Sequence, residues 1–499
     1  MRRVLSGIVG VVVLVGASSG AALAAPSGGD DDARVGGGDS DELTYPETIE
    51  FALEDIQAFW DETLPDAYGL EYRELRDEQI LPYDEDTPND ELPACGEESV
   101  TYEDVADNAF YCVLGADEEE DFVAYDDGTL FPRLFEDFGA FSLVQVLAHE
   151  WGHAIQGQTS VGLTGGIDGF IEARSIQKEL QADCFAGAYV RWVDDEESEA
   201  FRLDPGDLET GLAGMLEFKD PAGTDPGEQG AHGNGFDRAN AFSEGFEQGA
   251  TRCAEYDQFD TLGPIVTEIP FSTEEDLANE GNLPLDEAID FGMEDLDFYW
   301  QAVFDVSGLT YDGVEDVDGY DVRRRSALPE CEALGLDPDR PKKYRGQVFY
   351  CPGEDFIAYD ESLIEAAHGE IGDFGAMLLI GNAWAAGMQD DLELDGGDLQ
   401  ADCFTGAWAG SIPLDLDGDA LGDFAARGTE VIRDPNPPLE NASIFLSPGD
   451  LDEVVSAFLA FSEPSTADGA ELSAFERLAS FREGFFSVTA EEDCEAVTG

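Results

Sequence analysis

Phe138-Gly-Ala-Phe-Ser-Leu-Val-Gln-Val-Leu-Ala-His-Glu-Trp-Gly-His153 places apolar residues on a helical period, contains no proline, and ends with two histidines four residues apart. That period predicts a long buried helix. Residues i and i+4 share a helix face, so His149 and His153 can reach one ion, with Glu150 close enough to handle a proton of water. This H-E-x-x-H spacing is the one zinc needs from two imidazoles on a single helix. With only four histidines in the chain (His149, His153, His232, His368), a chance occurrence is of the order of a few in a thousand. The competing reading, two core histidines and a buried glutamate paired with arginine, has to bury a charged glutamate and two histidines on an otherwise apolar helix without a metal, which is costly.

A catalytic zinc needs a third protein ligand and keeps one position open. Glu179-Leu-Gln-Ala-Asp183 places two carboxylates at i and i+4 of a second expected helix. Glu179 is the candidate ligand, and Asp183 the candidate acceptor for the far nitrogen of His149 or His153, fixing its tautomer.

Outward from this stretch the chain repeats itself. Phe51 to Trp60 is echoed by Phe291 to Trp300, Asp121 to Asp126 by Asp355 to Asp360, and Phe236 to Phe242 by Phe475 to Phe481. Leu180-Gln-Ala-Asp-Cys-Phe185 recurs unchanged as Leu399 to Phe404, and Pro205-Gly-Asp-Leu208 as Pro448 to Leu451. Five matches in the same order predict two copies of one domain. The expected organisation is a signal peptide over 1–24, a disordered acidic Gly-rich segment over 25–44, a first domain over 45–254, a linker over 255–285 and a degenerate second domain over 286–499.

Four cysteines fall in each copy, and an even number in an exported chain favours disulfides. If each copy folds alone, three pairings remain per copy; we expect Cys95–Cys112 and Cys184–Cys253, then Cys331–Cys351 and Cys403–Cys494. Short strands are expected at 110–113 and 122–125, and again at 349–351 and 356–359. Helices are expected at 175–193, 208–218 and 238–248. The fold class is therefore α+β, mainly helical, each domain with a small β-sheet and disulfides.

Composition sets further limits. The 499 residues hold 112 acidic and 24 basic side chains, a formal net charge of −88 that repels polyanions and argues against nucleic acid as a partner. Acidic residues spread over the whole chain suggest a surface adapted to high salt, with cation binding as the rival account. Met1-Arg-Arg3, the apolar run Val4 to Val15 and small residues ending Ala22-Leu-Ala24 have the three parts of a secretory signal. No later stretch approaches about 20 uninterrupted apolar residues, so the chain is expected to be secreted without a membrane anchor.

Taken together, Ala148 to Gln156, Glu179 to Gly187, His232-Gly233 with Arg238, Gly245-Phe246 and Cys253 resemble the bacterial family of putative neutral zinc metallopeptidases. The resemblance covers nearly the whole first copy. It implies a zincin-type fold, Zn2+ held by His149, His153 and Glu179, and Glu150 as the catalytic residue. The expected chemistry is attack of a zinc-activated water on a peptide carbonyl with Glu150 as general base. A non-catalytic exported protein with a structural zinc is the alternative.

In the second copy, aligned through Trp384 and Gln389, Asn382-Ala-Trp-Ala-Ala386 stands where the first has His149 to His153, and Asp398 where it has Glu179. A pseudoenzyme domain is the expectation. His232 falls opposite Glu471; it could donate to an oxyanion or simply shape a Gly-rich turn, and a tyrosine phenol could serve the oxyanion instead. His368 is expected at the surface. The acidic runs Asp415–Asp419 and Asp312–Asp321 lack the glycine and glutamate of a calcium loop and are read as solvated loops.

Overall fold

The computed structural model describes residues 43–96, 99–113, 121–160, 175–195, 197–198, 200–203, 206–224, 231–257, 271, 277–314, 316–394, 396–412, 446–462, 472–487 and 494. The expected signal peptide, nearly all of the acidic leader, most of the linker, Pro205, Glu471 and Asp415–Asp419 lie outside the described residues. Contacts divide the chain into two compact units, the first holding the residues up to Thr267 and the second most of those from Glu268 on. Both are mainly helical with a small sheet.

In the first unit, helix α1 (Tyr45–Tyr68) starts at a capping box of Thr44 and Glu47 and stops at Gly69 in the left-handed region. Ile49, Ala52, Ile56, Phe59 and Trp60 recur on one face and are buried. Strands β1 (Ile80–Tyr83), β2 (Ala109–Cys112) and β3 (Phe122–Asp126) form a sheet in the order β1-β3-β2, with β3 parallel to β1 and antiparallel to β2. Helix α2 (Tyr102–Val105) is a single turn before β2. The central strand β3 is buried along its whole length.

The helix expected from Phe138 begins instead at Ala140. Gly139, at φ 85°, separates α3 (Leu130–Phe138) from α4 (Ala140–Ser160), a backbone conformation that only glycine adopts freely. Helices α5 (Ser175–Asp194), α6 (Asp207–Leu216), α7 (Gly235–Gln248) and α8 (Ala250–Ala254) follow. Helix α7 starts three residues earlier than expected because Asn234 caps it, its side chain accepting from the Asp237 N–H. Helices α5 and α7 touch backbone to backbone: a Cβ on Gly187 would lie 2.0 Å from the Phe242 carbonyl oxygen, and one on Gly245 would lie 1.8 Å from that of Cys184. The disulfides Cys95–Cys112 and Cys184–Cys253 are formed.

The second unit comprises α9 (Leu285–Ser307), strands β4 (Asp316–Tyr320), β5 (Val348–Cys351) and β6 (Phe356–Asp360), then α10 (Glu361–Glu370), α11 (Asp373–Asp391), α12 (Gly397–Ser411), α13 (Asp450–Phe461) and α14 (Ala474–Phe485). Its sheet has the order β4-β6-β5, with the same parallel and antiparallel senses about the centre. Its disulfides are Cys331–Cys351 and Cys403–Cys494. All four bridges follow the expected pairing. The reading of Asp312–Asp321 as a solvated loop is corrected: Asp316–Tyr320 is an edge strand whose aspartates 316 and 318 are exposed while its backbone pairs with β6. His368 is also not a surface group; it is half-buried and its Nε2 lies 2.7 Å from the Leu283 carbonyl oxygen.

Candidate metal centre

Helix α4 presents His149 and His153 one turn apart, their rings 4.8 Å between centroids and nearly perpendicular. Helix α5 brings Glu179 to meet them: its Oε2 lies 3.3 Å from His149 Nε2 and 3.4 Å from His153 Nε2. The helices can approach this closely because Gly152 faces Ala182, where a Cβ would lie 2.8 Å from the Ala182 Cα. The three groups are a potential ligand set, with donor atoms all within 4.8 Å of one another.

The hydrogen bonds around the imidazoles show what these atoms await. Gln156 Nε2 donates to the Lys178 carbonyl at 2.7 Å, which turns Gln156 Oε1 toward His153 Nδ1 at 3.0 Å. His153 must therefore carry its proton on Nδ1. Asp183 lies 2.7 Å from His149 Nδ1 and is held by Arg238, whose Nε and Nη2 donate to its two oxygens at 2.9 and 2.8 Å. Burial raises the Asp183 pKa, but Arg238 and then His149 outweigh it, so the carboxyl sits below its usual range and accepts from His149 Nδ1. Both Nε2 atoms thus turn lone pairs toward Glu179, whose Oε2 is buried with no hydrogen-bond partner, as is Glu150 Oε2. Three acceptors converge on one point without a donor.

That arrangement fits zinc. Bonds of about 2.0–2.1 Å in a tetrahedron hold ligand atoms roughly 3.3–3.4 Å apart, the spacing of Glu179 Oε2 from both nitrogens. Arg238 pairs with Asp183 and its charge also bears on Glu179, while Glu150 is buried beside Glu179 and the two histidines, and a dication suits this concentration of carboxylates. Burial lowers the pKa of His149, but Asp183, Glu179 and Glu150 more than compensate and raise it to about 10, so that without a metal a proton on Nε2 takes the cation's place beside Glu179, and the lone pair is free only when a metal displaces that proton. Glu179 is itself held well below its ordinary range, the effect of burial being overcome by His153, His232 and His149. For Glu150 burial dominates and its pKa is raised, opposed by the two histidines.

His232 is near enough to interact electrostatically with both Glu150 and Glu179. It sits on a turn clamped by Asp220: the Asp220 N–H donates to the Gly233 carbonyl at 2.9 Å, and the Asp220 carboxylate accepts from the Gly233 N–H at 2.8 Å. The same carboxylate lies 3.7 Å from His232 Nδ1. Gly233 has φ 99°, so the turn needs glycine there.

Sequence reasoning had not given Gln156 and Asp220 roles, nor Arg238 a partner. A helix-period reading could have found Gln156, three residues beyond His153 on the same face. Asp220 and Arg238 act across loops and had no local signal.

In the second unit the corresponding carboxylate is Asp402, which accepts from Arg477 Nε and Nη2 at 2.8 and 2.7 Å. The place of the imidazole is taken by Asn382, whose Nδ2 donates to Asp402 at 2.6 Å and whose Oδ1 accepts from the Thr405 hydroxyl at 2.7 Å. Asp398, in the place of Glu179, is exposed.

The first unit therefore brings together two histidines, spaced as H-E-x-x-H, and one carboxylate that could hold a metal ion. Residues 92–259 match the family described as "Putative neutral zinc metallopeptidase". The curated relatives include Uncharacterized protein Mb2605 of Mycobacterium bovis and Uncharacterized proteins MT2651 and Rv2575 of Mycobacterium tuberculosis, each 29% identical over 162 residues, covering 28% of this chain and 52% of the relative. The chain thus spans about half the length of the curated relatives it matches. No solved structure matches it. Among the described residues, no helix is long and apolar enough to cross a membrane.

Proposed function

We propose that the chain is an exported zinc metallopeptidase whose first unit hydrolyses peptide bonds and whose second unit is a copy that has kept the scaffold and lost the metal site. The observation that carries this reading is the convergence of His149 Nε2, His153 Nε2 and Glu179 Oε2 with both imidazole Nδ1 positions committed elsewhere. Bound there, zinc supplies Lewis acidity toward a carbonyl oxygen and makes water acidic enough to react near neutral pH. Glu150 takes the proton of the attacking water on its unpartnered Oε2 and hands it to the leaving amine. His232, steadied by Asp220, donates to the oxyanion. Asp183, Arg238 and Gln156 hold the imidazoles in register.

Four disulfides support the view that the chain matures outside a reducing compartment. For the second unit, the support is the unchanged Leu399 to Phe404 stretch and the retained carboxylate–guanidinium pair around an asparagine already satisfied by protein groups. The test is Glu150→Gln in the full chain. Zinc should remain at one per chain while hydrolysis of a general protein substrate such as casein falls by about 10²–10⁴. Activity that survives the change refutes the assignment. If metal removal lowers the melting temperature of a wild-type chain that hydrolyses nothing, the zinc is structural.

A further inference from the structure

A second set of potential ligands lies in the second unit, where Asp373, Asp450 and Glu453 bring one oxygen each to within 4.8 Å of the others, all three residues being buried. Backbone donors account for part of the arrangement. Asp373 Oδ2 accepts from the Leu283 N–H at 2.8 Å, Asp450 Oδ2 from that of Ser447 at 2.7 Å, and Glu453 Oε2 from those of Phe374 and Gly375 at 2.8 and 3.2 Å. They do not account for the other oxygen of Asp373. Asp373 is 7% exposed, and its Oδ1 is buried with no partner. An unpaired carboxylate oxygen beside two further carboxylates, away from water, is costly unless a cation occupies the space between them or the carboxyls take up a proton.

The scaffold does not require these carboxylates. By the registers of Trp151 with Trp384 and of Pro205–Leu208 with Pro448–Leu451, the first unit has Ala140 where Asp373 stands and Thr210 where Glu453 stands, keeping only Asp207 in place of Asp450. Helix α4 nevertheless starts at Ala140. Glu453 packs against Gly372, at φ 147°, where a Cβ would lie 2.0 Å from its carboxyl carbon; the first unit has a glycine there too, Gly139, with nothing within 4 Å of a Cβ.

We propose that Asp373, Asp450 and Glu453 hold a calcium ion that fastens the starts of α11 and α13 together. Three carboxylates without imidazole or thiolate form a hard, all-oxygen donor set, which suits calcium rather than zinc. The inference is independent of the metallopeptidase reading, because it concerns the unit without the H-E-x-x-H pattern.

The test uses the full chain, stripped of divalent ions, resupplied with one equivalent of zinc and with excess calcium, and kept in molar sodium chloride so that ions attracted diffusely by the net charge of −88 are screened. Elemental analysis after gel filtration should find one calcium per chain in the wild type and none in Asp373→Asn or Glu453→Gln, with zinc and hydrolysis unchanged. Calcium at about a hundred times its Kd should raise the melting temperature of the second unit by roughly 5–10 °C in the wild type and not in the variants. Should the variants fail to fold, hydrogen exchange of the wild type decides: calcium, and magnesium far less, should slow exchange in peptides spanning 372–376 and 447–454. Calcium content equal in wild type and folded variants, or exchange there indifferent to calcium, overturns the proposal. A wild type indifferent to calcium whose amide variants are more stable would show that the carboxyls merely share a proton.

Discussion

Replacing Asp183 by asparagine tests whether the metal site depends on a buried charge rather than on shape. The side chain is fully buried and serves three donors: Arg238 Nε on one oxygen, Arg238 Nη2 and His149 Nδ1 on the other. Asparagine keeps the volume but has one acceptor, so in either orientation its NH2 points at an Arg238 N–H. Arg238, whose side chain is only 2% exposed, then keeps the Met215 carbonyl at 3.2 Å but loses the carboxylate it is hydrogen-bonded to. Stranding such a charge costs about 3–5 kcal/mol. For a unit of this size that is a fall of roughly 6–20 °C in melting temperature. Loss of the carboxylate behind His149 should weaken zinc binding by about 10–100-fold. Calorimetry and a chelator-competition titration measure the two effects. Asp402→Asn is the control: it breaks the equivalent pair, but the Arg477 side chain is 21% exposed and water takes over part of the lost contact, so the drop should be smaller and zinc affinity unchanged. If Asp183→Asn keeps zinc affinity to within about two-fold and melts within about 2 °C of the wild type, the positioning role is wrong.

Two other changes probe the frame around the site. Gly187→Ala pushes a methyl group against the Phe242 carbonyl and should cost about 1–3 kcal/mol and lower zinc affinity; on an uncrowded helix the same change stabilises by about 1 kcal/mol, and a rise in melting temperature would contradict the close packing of α5 on α7. Asp126 accepts from the N–H groups of Asp107, Gly128 and Thr129 and from the Tyr102 and Thr129 hydroxyls. Burial raises its pKa, but these bonds outweigh it and hold the carboxyl below its ordinary value, so its stabilisation is present above about pH 4 and lost as pH falls through the folded-state pKa. Asp126→Asn should therefore destabilise at neutral pH by about 1–3 kcal/mol and flatten the acid limb of a plot of melting temperature against pH; an unchanged acid limb would remove Asp126 from the account.

What could be read from the chain followed from local spacing. His149, Glu150 and His153 share a helical turn, Glu179 and Asp183 share another, and the cysteines fall in order. The helix break at Gly139 was missed because the apolar period runs straight through it, while a backbone at φ 85° leaves no mark on side-chain pattern. Strands β1 and β4 were missed because each pairs in parallel with a strand far along the chain, and parallel partners have no hairpin turn between them to announce the pairing. Asp220 and Arg238 reach the site through tertiary contacts, which a one-dimensional period does not encode.

Cys184 directly follows Asp183 on α5 and is bonded to Cys253, whose carbonyl also accepts from Gln181 at 3.0 Å. Thiol oxidation thus fixes the rod that carries one metal ligand and the anchor of another. If the chain is exported as proposed, maturation acquires an order: a nascent chain among reducing thiols holds the candidate ligands but not the brace beside them, which forms in an oxidising milieu. On that reading, the proposed proteolytic activity would be braced into place after export rather than before it.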